Sequence, residues 1–311
     1  MRRFKLICQI LIAFIIAQLA FTVGYEPYQE QLRDAVRQHW PLAGEAASAP
    51  LPEGRLKITV LDVGQGDAIL LQDSKRSIMV DVGDYKEQAA LETRLQQFGV
   101  QDIQTVFITH HHNDHMGNIM RVMGKYHVRN IYDNGVVNES NGTSVKLDKI
   151  LRKGGYHNRV LQAGDRVDVD KGYYFEVLGP GDFMSKKLRK DHNNSSLVMK
   201  LHYGDFTMLF TGDIENPTEA ALAKRYGSRL KADVLKVAHH GSRTSSNYQF
   251  ISRVQPKYAL ISCGDFAIYK HPNSKVISTL EHLGAKVYYT RRDGSLVVET
   301  DGKMFGVEKI R

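Results

Sequence analysis

Leu56, Ile58 and Val60 alternate with Lys57 and Thr59, a period of two that predicts a strand with one buried face. The strand runs into a glycine-rich turn, Asp62-Val63-Gly64-Gln65-Gly66-Asp67-Ala68, and then a second apolar stretch at 69–71. Residues 77–84 read as a third strand ending in Asp81, Gly83 and Asp84. Leu91, Leu95 and Phe98 recur at helical spacing over 87–98, and Gly99 stops that helix. Thr105-Val106-Phe107-Ile108 is a short buried strand. Residues 116–165 mix helix, strand and loop, with turns at Asn134-Gly135 and Asn141-Gly142.

The second half repeats the rhythm. Strands are expected at 173–178, 197–201, 206–210, 232–238 and 258–261, with a hairpin around Tyr203-Gly204-Asp205. Helices follow Asn216-Pro217 and cover 276–283. Stretches 287–290 and 295–298 close the chain around Arg292-Asp293-Gly294. Strands separated by helices predict an α/β sandwich.

Candidate chemistry begins where the strand at 105–108 stops, in Thr109-His110-His111-His112-Asn113-Asp114-His115. Histidine and aspartate are costly to bury without partners. Imidazole and carboxylate together suit zinc, manganese or iron. In extended chain, His110 and His112 point the same way and would close on one ion. If the chain turns helical at Asn113, Asp114 and His115 project from its first turn and would hold a second. Other strand ends deliver matching groups: Asp81, Asp213, and His239 with His240. Strand ends of an α/β sandwich are where sites gather. Asp213 would bridge two divalent ions, Zn2+ or Mn2+, and such a pair generates hydroxide near neutral pH and polarises a phosphoryl or acyl oxygen.

This pattern resembles the metallo-β-lactamase fold family. His110-x-His112-x-Asp114-His115 matches its HxHxDH signature, Asp81 its first-motif aspartate, Asp213 its bridging aspartate, and His239 or His240 its late histidine. The resemblance covers about residues 55–311 and implies a four-layer αββα sandwich of two mixed sheets, with the metals at one rim. Within that family, several stretches resemble the C-terminal hydrolase domain of ComEC-type DNA-uptake proteins. They are residues 61–68, Asn193-Asn194-Ser195-Ser196, Thr211-Gly212-Asp213, residues 235–245 and His271-Pro272. The channel segments of those proteins have no counterpart in this sequence. The family's third-motif histidine is not obvious either; His192 stands nearby, next to the Asn/Ser stretch.

The resemblance implies roles. His110, His112 and Asp213 would hold one ion. Asp114, His115, Asp213 and one of His239 or His240 would hold the other. Asp81 would orient the ligands; Asp67 would do the same or cap its turn. Asn194, Ser196, Ser242 or His271 would hydrogen-bond a developing oxyanion or make a plain loop contact.

The other features of the chain bear on where such a hydrolase works. Arg2, Arg3 and Lys5 precede an apolar run to about Val23, so residues 1–24 read as a signal peptide or single membrane anchor and the body as exported. Residues 25–54, rich in Ala, Pro and Gly toward their end, read as a linker, and residues 55–311 as the hydrolase domain. Of the two cysteines, Cys8 lies in the apolar run and Cys263 at a strand end, which excludes a disulfide framework. The net charge of +8 suits an anionic substrate, with Arg243 as a phosphate contact; the run Lys186-Lys187-Leu188-Arg189-Lys190 reads as a solvated loop. Together these predict an exported phosphodiesterase or DNase. A cell-surface phosphoester hydrolase, acting on phosphorylcholine or teichoic acid, is the second reading, and a non-catalytic metal-binding module the third. The oligomeric state is not legible.

Overall fold

The computed structural model describes residues 51–169, 172–265 and 270–311. The N-terminal apolar run, Cys8 and most of the linker lie outside them. No helix among the described residues is long and apolar enough to cross a membrane.

Six strands follow one another first: β1 (Leu56–Val60), β2 (Ala68–Gln72), β3 (Ser77–Val82), β4 (Thr105–Phe107), β5 (Asn130–Asp133) and β6 (His157–Val160). Tight turns join β1, β2 and β3 as an antiparallel meander, while β3 to β6 are parallel. Parallel neighbours need long crossovers. Helices α1 (Gln88–Gln97), α2 (Asn113–Met116), α3 (Ile119–Lys125) and α4 (Gly142–Lys153) lie in these connections. The next seven strands form a second sheet: β7 (Arg166–Asp168), β8 (Tyr173–Gly179), β9 (Val198–Tyr203), β10 (Phe206–Phe210), β11 (Val234–Lys236), β12 (Tyr258–Ile261) and β13 (Lys286–Tyr289). It too is antiparallel from β7 to β10 and parallel from β10 to β13. Its connections carry α5 (Lys186–Lys190), α6 (Asn216–Tyr226), α7 (Tyr248–Val254) and α8 (Ser274–His282).

The closing stretches are not a hairpin. A single helical turn, α9 (Thr290–Asp293), carries the chain from β13 in the second sheet to β14 (Ser295–Thr300) in the first, where β15 (Phe305–Ile310) completes the edge. Asp293 holds that turn by accepting from the Tyr289 amide and pairing with Arg292. The run at 186–190 is helical rather than loop, with Ser185 capping it. The strand β1 departs from its period of two: all five residues are buried, in a strand that lies inside its sheet between β14 and β2. Lys57 tolerates this by standing opposite Glu299.

Between the sheets lies an apolar layer that includes Ile58, Val80, Phe107, Phe175, Met199 and Phe210. Phe107 stacks at 5.1 Å on Tyr132 and 4.8 Å on Phe175, and Phe175 at 5.9 Å on Phe210. This aromatic chain ties both sheets together just below the end of β4, so the loop that follows β4 has a rigid base. A second apolar layer, including Leu209, Leu222, Leu235, Phe250 and Leu280, seals the other face of the second sheet under α6, α7 and α8. Cys263 is a buried free thiol in it.

Candidate metal centre

The end of β4 is fixed before any ligand is placed. Asp81, at the end of β3, accepts from the Thr109 amide at 2.7 Å and from the Thr109 hydroxyl at 2.7 Å. Its backbone is left-handed (φ 58°), a conformation that aspartate tolerates better than most residues. The chain bends over residues 109–111 after β4, and His110 Nε2 lies 3.0 Å from His112 Nδ1, so the two imidazoles converge. His112 is the N-cap of α2, whose first turn projects Asp114 and His115.

His111, between them, faces away from this cluster. Its ring touches the Ser144 hydroxyl at 2.8 Å and Asp133 at 3.2 Å, and its carbonyl accepts from Asn138 and Asn141. It therefore fastens the 133–144 loop to the metal loop. Its neighbours at 110 and 112 show that alternation assigns it to the opposite side; its partners are not legible in the sequence.

His115 meets a carboxylate at each nitrogen. Asp81 Oδ2 lies 2.7 Å from Nδ1, and Asp213 Oδ2 lies 3.2 Å from Nε2. His240 Nε2 approaches Asp114 Oδ2 at 3.3 Å and Asp213 Oδ2 at 3.4 Å. One atom each from Asp114, His115, Asp213 and His240 lies within 4.8 Å of all the others, the spacing of a metal site. His239 is different. It is partly exposed, 3.9 Å from Asp213 and 3.4 Å from Glu215. The geometry therefore places His240 with the donor set, and His239 at its rim. The ring of His192 lies 5.6 Å from that of His112, with a buried Nδ1 that has no hydrogen-bond partner.

The donor set suits a cation. Asp213 Oδ1 is buried with no hydrogen-bond partner, and His115 Nε2 faces Asp213 without hydrogen-bond geometry. Burial opposes charge on Asp213, yet His115 and His240 hold its carboxyl well below the usual range. Burial likewise opposes a proton on His115 or His240, but Asp213 and the neighbouring carboxylates push both well above the ordinary histidine value. These buried groups attract positive charge strongly, and a divalent ion would compete with the protons for it. Burial pulls His110 well below the ordinary value and His112 below it, leaving neutral imidazoles with free lone pairs, the form that binds metal.

A cleft of about 470 Å³ opens over this cluster. Lys86, His112, Asp114, Asn193, Asp213 and His271 are among its walls. A neighbouring cleft of about 530 Å³ shares Asn138 and Ser140 with it and is also lined by Arg189, Lys190 and His192.

The expected oxyanion donors fare unequally. His271 does line the cleft, 5.9 Å ring to ring from His239. Asn194 does not: its amide is consumed by Asp191, Glu215 and the Glu215 backbone, which makes it a brace between two loops. Ser196 accepts from the Asp213 amide and donates to Asn193 O, so it positions the bridging carboxylate rather than a substrate. Ser242 is paired with Thr244. Arg243 is exposed and outside the cleft walls, where Lys86 supplies the ammonium instead. Asp67 is not a turn cap. It is buried against Lys236 and His240. Only the spacing of a lone lysine inside the apolar run 232–238 could have flagged Lys236.

Comparison with known proteins agrees with this geometry. The metallo-β-lactamase superfamily model matches residues 61–265. The chain is 31% identical to competence protein ComA of Neisseria gonorrhoeae over 258 residues, 82% of this chain and 34% of that protein. It is 29% identical to ComE operon protein 3 of Bacillus subtilis over 265 residues, 77% of this chain and 32% of that protein. The chain thus spans about a third of the length of these relatives. Among solved structures, the metallo-β-lactamase fold protein YhfI of Bacillus subtilis superposes with a TM-score of 0.54 at 16% identity, covering 79% of this chain and 99% of that one, which is likeness of fold alone. The resemblance to ComEC-type competence proteins therefore holds, the two mixed sheets are those of the fold it implied, and the chain belongs to the metallo-β-lactamase superfamily.

Proposed function

We propose that the chain is an exported two-metal phosphodiesterase acting on polynucleotide. The observation that carries the reading is the position of Asp213, one buried carboxylate that reaches His115 and His240 at the floor of the cleft. In this reading His110, His112 and Asp213 hold one ion. Asp114, His115, Asp213 and His240 hold the other, and Asp81 fixes His115 through Nδ1. When bound, divalent zinc or manganese supplies Lewis-acid polarisation of the phosphoryl group and a nucleophile at neutral pH. The chain's own residues do the rest. Lys86 neutralises a phosphate entering the cleft. Burial and nearby His240 and His239 hold His271 down at about 4, so it is neutral at pH 7 and can hydrogen-bond a phosphoryl oxygen at the cleft wall. The relative from Neisseria gonorrhoeae is named a competence protein, which favours DNA over a small phosphoester.

The test is a side-by-side assay of the full chain loaded with zinc or manganese. Its substrates are single- and double-stranded DNA, bis-p-nitrophenyl phosphate, p-nitrophenyl-phosphorylcholine and a β-lactam. Metal-dependent cleavage of DNA is expected. Turnover of the phosphorylcholine ester alone would move the function to the cell surface, and bound metal without any turnover would leave a binding module. Export is read separately, by locating an epitope-tagged chain in fractionated cells.

A further inference from the structure

Behind His240 lies a pair of charges for which the donor set has no direct use. Lys236 ends β11 with no exposed surface, and its Nζ lies 2.7 Å from Asp67 Oδ2 and donates to Val237 O at 3.0 Å. Lysine is almost never fully buried unless paired. The pair spans the two sheets, since Asp67 leads into β2 and Lys236 closes β11. As a stitch between sheets, however, it is a poor choice: two apolar side chains of the same size would join the layers at least as well. What an apolar pair cannot do is present a carboxylate to His240.

That is where the other oxygen of Asp67 goes. Oδ1 lies 3.4 Å from His240 Nδ1 and has no hydrogen-bond partner. The same Nδ1 lies 3.0 Å from Ser262 O. Both neighbours only accept, so Nδ1 carries a hydrogen, and Nε2 is the nitrogen left to give its lone pair to an ion that displaces a proton there. Nε2 is the atom turned toward Asp114 and Asp213.

The glycine-rich turn makes the approach possible. Gly66 has φ 133°, and a Cβ there would fall 2.3 Å from Asp114 O. A Cβ on Gly264 would fall 2.4 Å from the Gln65 amide. Without those side chains the turn wedges between α2 and the 262–264 loop. The Asp67 amide then donates to Asp114 O, and Gly66 O accepts from the Ser262 hydroxyl. The turn thus touches Asp114 and the Ser262 that holds His240 at the same time.

We infer that Lys236 and Asp67 are positioning residues for the second ion: Lys236 fixes Asp67, and Asp67 with Ser262 O fixes His240 as the Nδ1–H form with Nε2 facing the metal. The inference rests on the metal-centre reading above. It is tested on the full chain with Lys236→Met, Asp67→Asn and the double variant, by thermal melting and by zinc stoichiometry with chelator competition. Each single variant is expected to melt lower than wild type, because it leaves one buried partner alone. The double variant, with two neutral groups, is expected to regain most of the melting temperature. All three are expected to bind one of the two zinc ions about 10–100-fold more weakly. Melting and metal affinity then separate. A stable double variant that binds both ions as tightly as wild type would reduce the pair to a stitch and overturn the inference alone. Wild type that binds no zinc would overturn the metal reading and the inference with it. If the variants do not fold, nitrogen-15 NMR of the zinc-loaded wild type decides: ligation of His240 through Nε2 with a protonated Nδ1 upholds the inference, and ligation through Nδ1 overturns it.

Discussion

The two loops that meet at Asp213 are built on opposite plans. The loop after β4 carries four candidate ligands within six residues of its own sequence, and Asp81 on the neighbouring strand braces it at Thr109 and His115. Alternation turns His110 and His112 to one side, and the first turn of α2 presents Asp114 and His115. Its backbone from Thr109 to His115 has no left-handed residue. The loop after β11 takes its geometry from elsewhere. His239 and His240 are consecutive left-handed residues (φ 49° and 52°), each costing about 1–2 kcal/mol for a side chain with a Cβ. Distant groups hold them there. Ser262 O and Asp67 grip the His240 ring, and Glu219 on α6 accepts from the Ser246 and Asn247 amides further along the loop. Ligands close in sequence come with their geometry, whereas ligands delivered one per loop need scaffolding from the rest of the fold.

The comparison can be broken most severely at the locally built loop. Asp114→Ala is expected to lower turnover by more than the roughly 100-fold that marks loss of a supporting residue. Circular dichroism should show the fold intact; unchanged turnover would remove Asp114 from the site. Next comes the remote loop. His240→Ala is expected to lose one of two bound zinc ions, while His239→Ala keeps both, as counted by plasma mass spectrometry. The reverse result would exchange their places. His111→Ala spares the ligands but strands the buried Ser144 and Asp133 partners. It should cost about 1–3 kcal/mol in urea unfolding with zinc stoichiometry retained; a matching loss of zinc would show that His111 does more than fasten the 133–144 loop.

A smaller effect reads the scaffold of the remote loop through pH. Burial pushes the Glu219 carboxyl up to about 7, against the amides of Asn247 and Ser246 that pull it down. The folded state therefore binds this proton more tightly than the unfolded chain. Its contribution is fully present below the ordinary glutamate value and is lost as pH rises through about 7. Wild-type stability should fall relative to Glu219→Gln across that window, and parallel curves would count against a raised Glu219. The smallest effect is expected from Arg243→Ala. Exposed and outside the cleft walls, Arg243 should change the salt slope of DNA binding by at most about one unit, as judged by filter binding at several salt concentrations.

Much of the centre was legible before any coordinates. The strand ends carrying Asp81, Asp213 and the late histidines could be read because strands announce themselves by apolar runs, and a polar group at the end of such a run is out of place in a core. Several supporting roles are not legible in the sequence. For Asn194 and Ser196 the choice between oxyanion donor and loop contact stays open there, because the partners that make them loop braces, Glu215 and Asp213, lie 17 to 21 residues away. Lys236 hid inside an apolar run because its partner Asp67 belongs to the other sheet. Nothing in the sequence tells that the closing stretches join different sheets, β13 the second and β14 the first.

By itself, then, the sequence determined the local matters: the alternation that makes the strands, the i, i+2 pairing of His110 and His112, and the helical turn that presents Asp114 with His115. Tertiary structure alone decided which of two neighbouring histidines faces the donor set, what holds it, and which hydroxyls and amides brace loops instead of facing the cleft. The physical reason is range. Backbone dihedrals and side-chain periodicity act over a few residues, whereas a buried charge or hydrogen bond finds its partner across the sandwich, where only the packing of two sheets brings the pair within reach.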